Sequence, residues 1–156
     1  MSSPTLSAIE QQNTACIHAA CVSIEGHGLL IVGRSGAGKS SLALQMMALG
    51  ARLVADDRVN LHARDGHVIA DAVPELRGVI EARGIGLLRA DSKGPVPVSL
   101  VADLDQSEPA RLPEPRMVVL LRHPVPLLWG GEVPNLAAAL VQFMKMGRMD
   151  PEWPGN

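Results

Sequence analysis

Apolar residues along this chain come in short runs cut by Gly, Pro, Asn and Asp, and only twice in a spacing that suits a helix. Short runs bounded by turn residues read as strands. Cys16–Ile24 is expected to form one, and Glu25-Gly26-His27-Gly28 leads back into Leu29–Val32 as a hairpin. Val59–Ala63 and His67–Ala70 flank Arg64-Asp65-Gly66, a second hairpin signal. Arg52–Ala55, Pro95–Val101, Met117–Leu121 and Val125–Leu128 complete the expected strands. The first helix is expected over Ser41–Leu49, with Leu42, Met46 and Leu49 on its apolar face, Leu44 nearby, and Gly50 as its C′ stop. The second runs over Leu136–Met146, with Asn135 as its cap. Gln106–Arg116 reads as a polar, Pro-rich surface loop.

This order is strand-rich, with few helices between strands. A doubly wound sheet needs a crossover helix for each parallel pair, so the expected fold is α/β with a mixed, largely antiparallel sheet. One catalytic domain is expected over 15–147, between a flexible N-terminal tail (1–14) and a flexible C-terminal tail (148–156).

The run Leu29–Val32 ends in Gly33-Arg34-Ser35-Gly36-Ala37-Gly38-Lys39-Ser40, which fits G-x-x-x-x-G-K-[ST] at every fixed position. It stands between a strand and a helix, where such a loop cradles phosphates. Its glycines let successive N–H groups point into one concavity, and the helix N-terminus behind them favours an anion. Lys39 is placed to reach β- and γ-phosphates and Ser40 to ligate Mg²⁺, with Ser41 next in the helix. A lysine in the first turn of a helix is mildly unfavourable unless an anion is bound.

Composition narrows the partners. Of 156 residues, 47% are hydrophobic and 19% charged, an ordinary globular balance. One Phe, two Trp and no Tyr weaken any reading as a single-stranded nucleic-acid binder, which needs stacking platforms. A net charge of −2 supplies no basic field for nucleic acid or an anionic membrane. Cys16 and Cys21 are five apart, so strand alternation would point them to opposite faces and disfavour a disulfide. No Cys/His cluster has zinc spacing, no basic segment leads into an apolar one at the N-terminus, and no apolar run approaches membrane-spanning length. A soluble, cytoplasmic protein is the expectation.

Asp56-Asp57 closes an apolar strand, where nucleotide-binding proteins place the acid that meets Mg²⁺ or its water. One carboxylate would orient magnesium while the other takes a proton. Adjacent acids raise each other's pKa, which suits a base that also returns the proton. Alone the pair would be an ordinary solvated turn; beside a phosphate loop the functional reading is preferred. His18, fifteen residues before Gly33, reads by itself as a half-buried strand histidine. Glu81 and Arg83 flank an alanine and would share one face of an extended segment, either as a functional pair or as a surface ion pair. Gly84 and Gly86 after them suggest a close backbone approach.

Taken together, His18, the loop Gly33–Ser40, Leu53-Val54-Ala55-Asp56-Asp57 and Glu81-Ala82-Arg83-Gly84-Ile85-Gly86 resemble the catalytic domain of HPr kinase/phosphorylase over roughly residues 15–145. The resemblance implies a phosphoenolpyruvate-carboxykinase-like P-loop scaffold. It also implies transfer of the γ-phosphoryl group of ATP to a serine of the phosphocarrier HPr, with removal by inorganic phosphate as the reverse. By this resemblance Lys39 stabilises the transferred group, Ser40 and Glu81 ligate Mg²⁺, and Asp57 is base and acid with Asp56 as its neighbour. His18 then lies close to the phosphates and Arg83 serves both reactions. Hexamers are common in the family, and short members of this layout resemble those of α-proteobacteria. Long members carry an additional N-terminal domain, where here a short tail precedes His18. The family's P-G-R-N-like loop is matched by Gly130-Gly131-Glu132-Val133-Pro134-Asn135-Leu136, which keeps the asparagine and lacks the arginine; Arg122 is a candidate to replace it. The competing readings are a P-loop small-molecule kinase and a nucleotide-binding sensor without turnover.

Overall fold

Leu29-Leu30-Ile31 is an unbroken apolar triplet, a pattern that suits a strand covered on both faces. In the computed structural model, which describes residues 5–149, all three are fully buried at the centre of a mixed sheet. The elements in chain order are α1 (Leu6–Ile9), β1 (Thr14–His18), β2 (Ala20–Ile24), β3 (His27–Val32), α2 (Lys39–Ala48), β4 (Arg52–Ala55), β5 (Arg58–Arg64) and β6 (His67–Ala72). There follow β7 (Val79–Ala82), β8 (Gly86–Arg89), β9 (Val96–Ser107), β10 (Arg116–Leu120), β11 (His123–Gly131) and α3 (Leu136–Met146). The main sheet runs β1-β5-β6-β9-β3-β2-β4, with β11 also on β9 and β10 on β11. Only β3–β9 and β9–β11 pair in parallel among these strands, so the sheet is mixed and mostly antiparallel, as expected.

Side-chain alternation sorts the core onto two faces. Leu29, Ile31, Val22 and Leu53 join Leu42, Ala43 and Met46 of α2 and Leu140 of α3 on one side. Leu30, Cys21, Val54 and Val101 join Val59, Leu61, Val68 and Leu120 on the other. Two helices cover one face, and strands of the same chain close over the other.

Strand direction gathers the chain's chemistry at one end. Because β2 is antiparallel to both β3 and β4, its start lies beside their ends. The His18–Ala20 corner, the loop after Val32 and the acids after Ala55 therefore meet at one edge. Among the described residues no helix is long and apolar enough to cross a membrane.

Several local expectations are corrected. Cys16–Ile24 is two strands broken at Ala19, because β1 pairs with β5 while β2 pairs with β3 and β4. Both cysteines are free, Cys16 exposed and Cys21 buried. Within the expected N-terminal tail, Leu6–Ile9 forms one helical turn capped by Thr5, and Ile9 is fully buried. Of the expected C-terminal tail, 150–156 lie outside the described residues. Helix α2 starts two residues early, at Lys39, and Leu49 is 48% exposed rather than core. Gln106 and Ser107 extend β9, while Arg116 opens β10, so the polar loop shortens to 108–115. Asn135 does stand at the N-cap of α3, but its side chain makes no capping hydrogen bond.

Candidate active site

The segment Gly33–Ser40 links β3 to α2, and its backbone has the shape a phosphate loop needs. Gly36 and Gly38 adopt φ of 84° and 99°, a region that costs other residues steric strain. Gly38 is the N-cap of α2 and leaves the first N–H groups of the helix without a side-chain cap. Lys39 folds back over the loop: its Nζ donates to the carbonyls of Gly33 (2.8 Å) and Arg34 (2.9 Å). An ammonium has three donors, so one remains for a ligand. Burial pushes the Lys39 amine below its ordinary value, against the opposing pull of Asp105, Asp56 and Asp57.

The paired acids part company. Asp56 is buried, accepting the Ser40 hydroxyl at 2.7 Å and the Glu81 backbone N–H at 3.1 Å. It ties the start of α2 to β7. Asp57 is 61% exposed and pairs with His18 Nε2 at 3.1 Å. The Arg58 N–H donates to the Asp56 carbonyl at 2.7 Å, closing a three-residue turn about Asp57 at φ 67°. A turn of that sign is rare and strained, and strain of this kind clusters at functional sites.

Glu81 and Arg83 sit on a separate two-stranded sheet, β7–β8. Glu81 lies in β7 but Arg83 lies in the turn, so the expected shared face of one extended segment does not form. No ion pair joins the two. Nor do Gly84 and Gly86 mark a close approach: a Cβ at either would meet nothing within 4 Å, and each instead supplies a positive φ at the turn. A cavity of about 680 Å³ nonetheless gathers nearly all the sequence-derived candidates. Ser35, Gly36, Gly38, Lys39, Ser40 and Ser41 form one part of its wall, His18, Asp56 and Asp57 another, and Glu81 and Arg83 a third. Gly33, Arg34 and Ala37 complete the loop but do not line this cavity. Among the described residues no group of three or more His, Cys, Asp or Glu is placed to hold a metal by itself.

Sequence reading passed over Asp105. It lies near the end of β9, the strand parallel to β3, and accepts both the Arg34 backbone N–H and its guanidinium, each at 2.8 Å. Asp105 is also the largest charge opposing the desolvation of Lys39. The available signal was Asp103-x-Asp105 after an apolar run, which needs the β3–β9 pairing to acquire meaning. Arg122, the candidate substitute arginine, lies outside the cavity; its Nε donates to the Gln11 carbonyl at 2.8 Å.

Residues 10–93 match the family described as HPr Serine kinase C-terminal domain. Among curated proteins, the HPr kinase/phosphorylase of Limosilactobacillus reuteri (strain DSM 20016) is 45% identical over 73 residues, 46% of this chain and 23% of that protein. That of Geobacillus sp. (strain WCH70) is 38% identical over 104 residues, 62% of this chain and 33% of that protein. The chain thus spans a third or less of the length of these relatives. The solved Hpr(Ser) kinase/phosphatase from Coxiella burnetii superposes with a TM-score of 0.73 at 26% identity, over 83% of this chain and 88% of that one. The match over more than half of its residues, together with the shared fold, makes this chain a member of the HPr serine kinase C-terminal domain family.

Proposed function

We propose that this chain, with residues 15–147 as its catalytic unit, is an ATP-dependent protein serine kinase acting on HPr in the cytoplasm. One observation carries the reading: a single cavity in which a phosphate loop, the His18–Asp57 pair, Glu81 and Arg83 all present their side chains or backbone. Phosphoryl transfer asks little covalent chemistry of a protein and much positioning and charge neutralisation. Loop N–H groups and Lys39 would hold the β- and γ-phosphates. Asp57 takes the proton of the HPr serine as its oxygen attacks the γ-phosphorus and the bond to ADP breaks. His18 orients that carboxylate, and Arg83 balances charge on the transferred group.

Mg²⁺ takes hard oxygen ligands, one or two of them carboxylates, and shares the substrate's phosphates. The Ser40 hydroxyl, with Asp56 at 2.7 Å and Glu81 on the adjoining strand, fits that donor set. Ser40 and Glu81 are the residues that would hold it, and the metal would neutralise phosphate charge there. Asp56 then orients Ser40 rather than moving a proton.

Incubation with radiolabelled ATP and HPr tests the reading. Phosphoserine on HPr is expected, and its absence from an ATP-binding chain would sink the assignment in favour of a sensor or small-molecule kinase. Asp57→Asn should bind ATP normally and slow transfer by about 10²–10⁴-fold, the ordinary worth of a general base. Unchanged turnover would remove Asp57 from that role. The reverse reaction, attack of inorganic phosphate on phosphoserine with Asp57 returning the proton, is the second part of the proposal. The sensor reading draws on one observation, the lack of an arginine in 130–135 with Arg122 engaged elsewhere. A hexamer in light scattering is expected by family likeness.

A further inference from the structure

A second concavity, of about 710 Å³, runs beside α2; apart from Ala37, Gly38 and Ser41 at the phosphate loop, none of the residues assigned to phosphoryl transfer lines it. It shares Gly38 and Ser41 with the catalytic cavity, so the two meet at the phosphate loop. A triphosphate held there with its γ-end toward Asp57 must extend its other end away from the reacting atoms. The concavity that joins the loop at Gly38 and Ser41 offers that path.

Its walls suit a flat, polar-edged ring. Leu49, Leu104 and Leu136 supply aliphatic surface, and Leu49 stays 48% exposed at the end of α2. Gln45 and Asn135 contribute amides that make no hydrogen bond among the described residues. Asn135 is the telling one. It holds the N-cap position of α3 at φ 53° without capping, although capping is what Asn does best there. Glu132, in the same rim, also has a positive φ of 64°. Strained rims of this kind accompany ligand clamps, and a side-chain amide can bond adenine through its N6 and N7 together. The volume falls within the range of small-ligand sites, roughly 300–1,000 Å³.

We propose that this groove binds the adenine nucleoside of the nucleotide whose phosphates lie on 33–40, with Gln45 and Asn135 reading the base. The inference rests on the phosphoryl-transfer reading above and adds a site to it.

Calorimetric titration of the whole chain with ATP, GTP and inorganic tripolyphosphate, each with Mg²⁺, tests it. ATP is expected to bind at least about 10-fold more tightly than tripolyphosphate. Ala48→Trp, at an exposed groove position on α2, should weaken ATP by about 10-fold or more and leave tripolyphosphate within about 2-fold. Gln45→Ala and Asn135→Ala should each shrink the preference for ATP over GTP. Equal wild-type affinity for ATP and tripolyphosphate would overturn the groove assignment while leaving the phosphate loop intact. So would an Ala48→Trp chain that binds ATP as before or loses both ligands alike. If the wild-type chain binds neither ligand, the phosphate-loop reading itself fails and the groove falls with it.

Discussion

At the end of β4, two carboxylates adjacent in the chain face different surroundings. Asp56 is 5% exposed and held by Ser40 and the Glu81 amide, while Asp57 reaches His18 across an open cavity. One is tied into the wall of the site, and the other is the candidate for the proton transfer proposed above. Lys39 shows the same dependence on surroundings. Burial lowers its pKa, and Asp105 is the strongest of the carboxylates resisting that shift. A protonated Lys39 is the form that can stabilise phosphate, so activity should fall as pH rises through its pKa. Asp105→Asn removes the largest opposing charge and lowers that pKa further. The alkaline limb of kcat/KM against pH is therefore expected to move to lower pH. A uniform loss with an unmoved limb would leave Asp105 only the task of anchoring Arg34.

Between elements, the Asp56 carboxylate joins the start of α2, the end of β4 and strand β7. Asp56→Ala leaves the Glu81 N–H and the Ser40 hydroxyl without their acceptor, at a cost of about 1–3 kcal/mol if neither finds another. Urea denaturation should report that loss, and hydrogen exchange should show the Glu81 amide opening faster than in the wild type. An unchanged Glu81 exchange rate would mean that packing of Ile80 alone seats the hairpin. Helix α2 itself was legible in the sequence because its apolar positions and C′ glycine are local signals. The two-residue error at its start has a plain cause: the loop glycines and Lys39 carry no apolar period, yet Lys39 already has helical hydrogen bonding.

Across the whole molecule, one central strand bears most of the design. Leu30 is fully buried in β3, between β2 and β9, and Leu112 is 62% exposed in the loop before β10. Leu30→Ala should cost about 2–5 kcal/mol in chemical denaturation, and Leu112→Ala less than about 0.5 kcal/mol. Similar losses at the two sites would contradict this core. The mixed sheet was foreseeable from the scarcity of crossover helices, and the strand-to-helix course of Gly33–Ser40 from its local pattern. Both signals are local: turn glycines, short apolar runs and a strand-to-helix junction are written within a few residues. The break at Ala19, the buried Ile9, the hairpin that carries Glu81 and the role of Asp105 were not legible. Each depends on which strand lies beside which, and pairing partners such as Val32 and Asp103 are far apart in the chain. Sequence by itself determined that a glycine-rich loop of phosphate-binding pattern joins a strand to a helix, and which residues are the candidates to serve it. Only the tertiary structure decided which carboxylate is buried and which reaches His18, because burial and facing direction belong to the packed sheet and to no single segment.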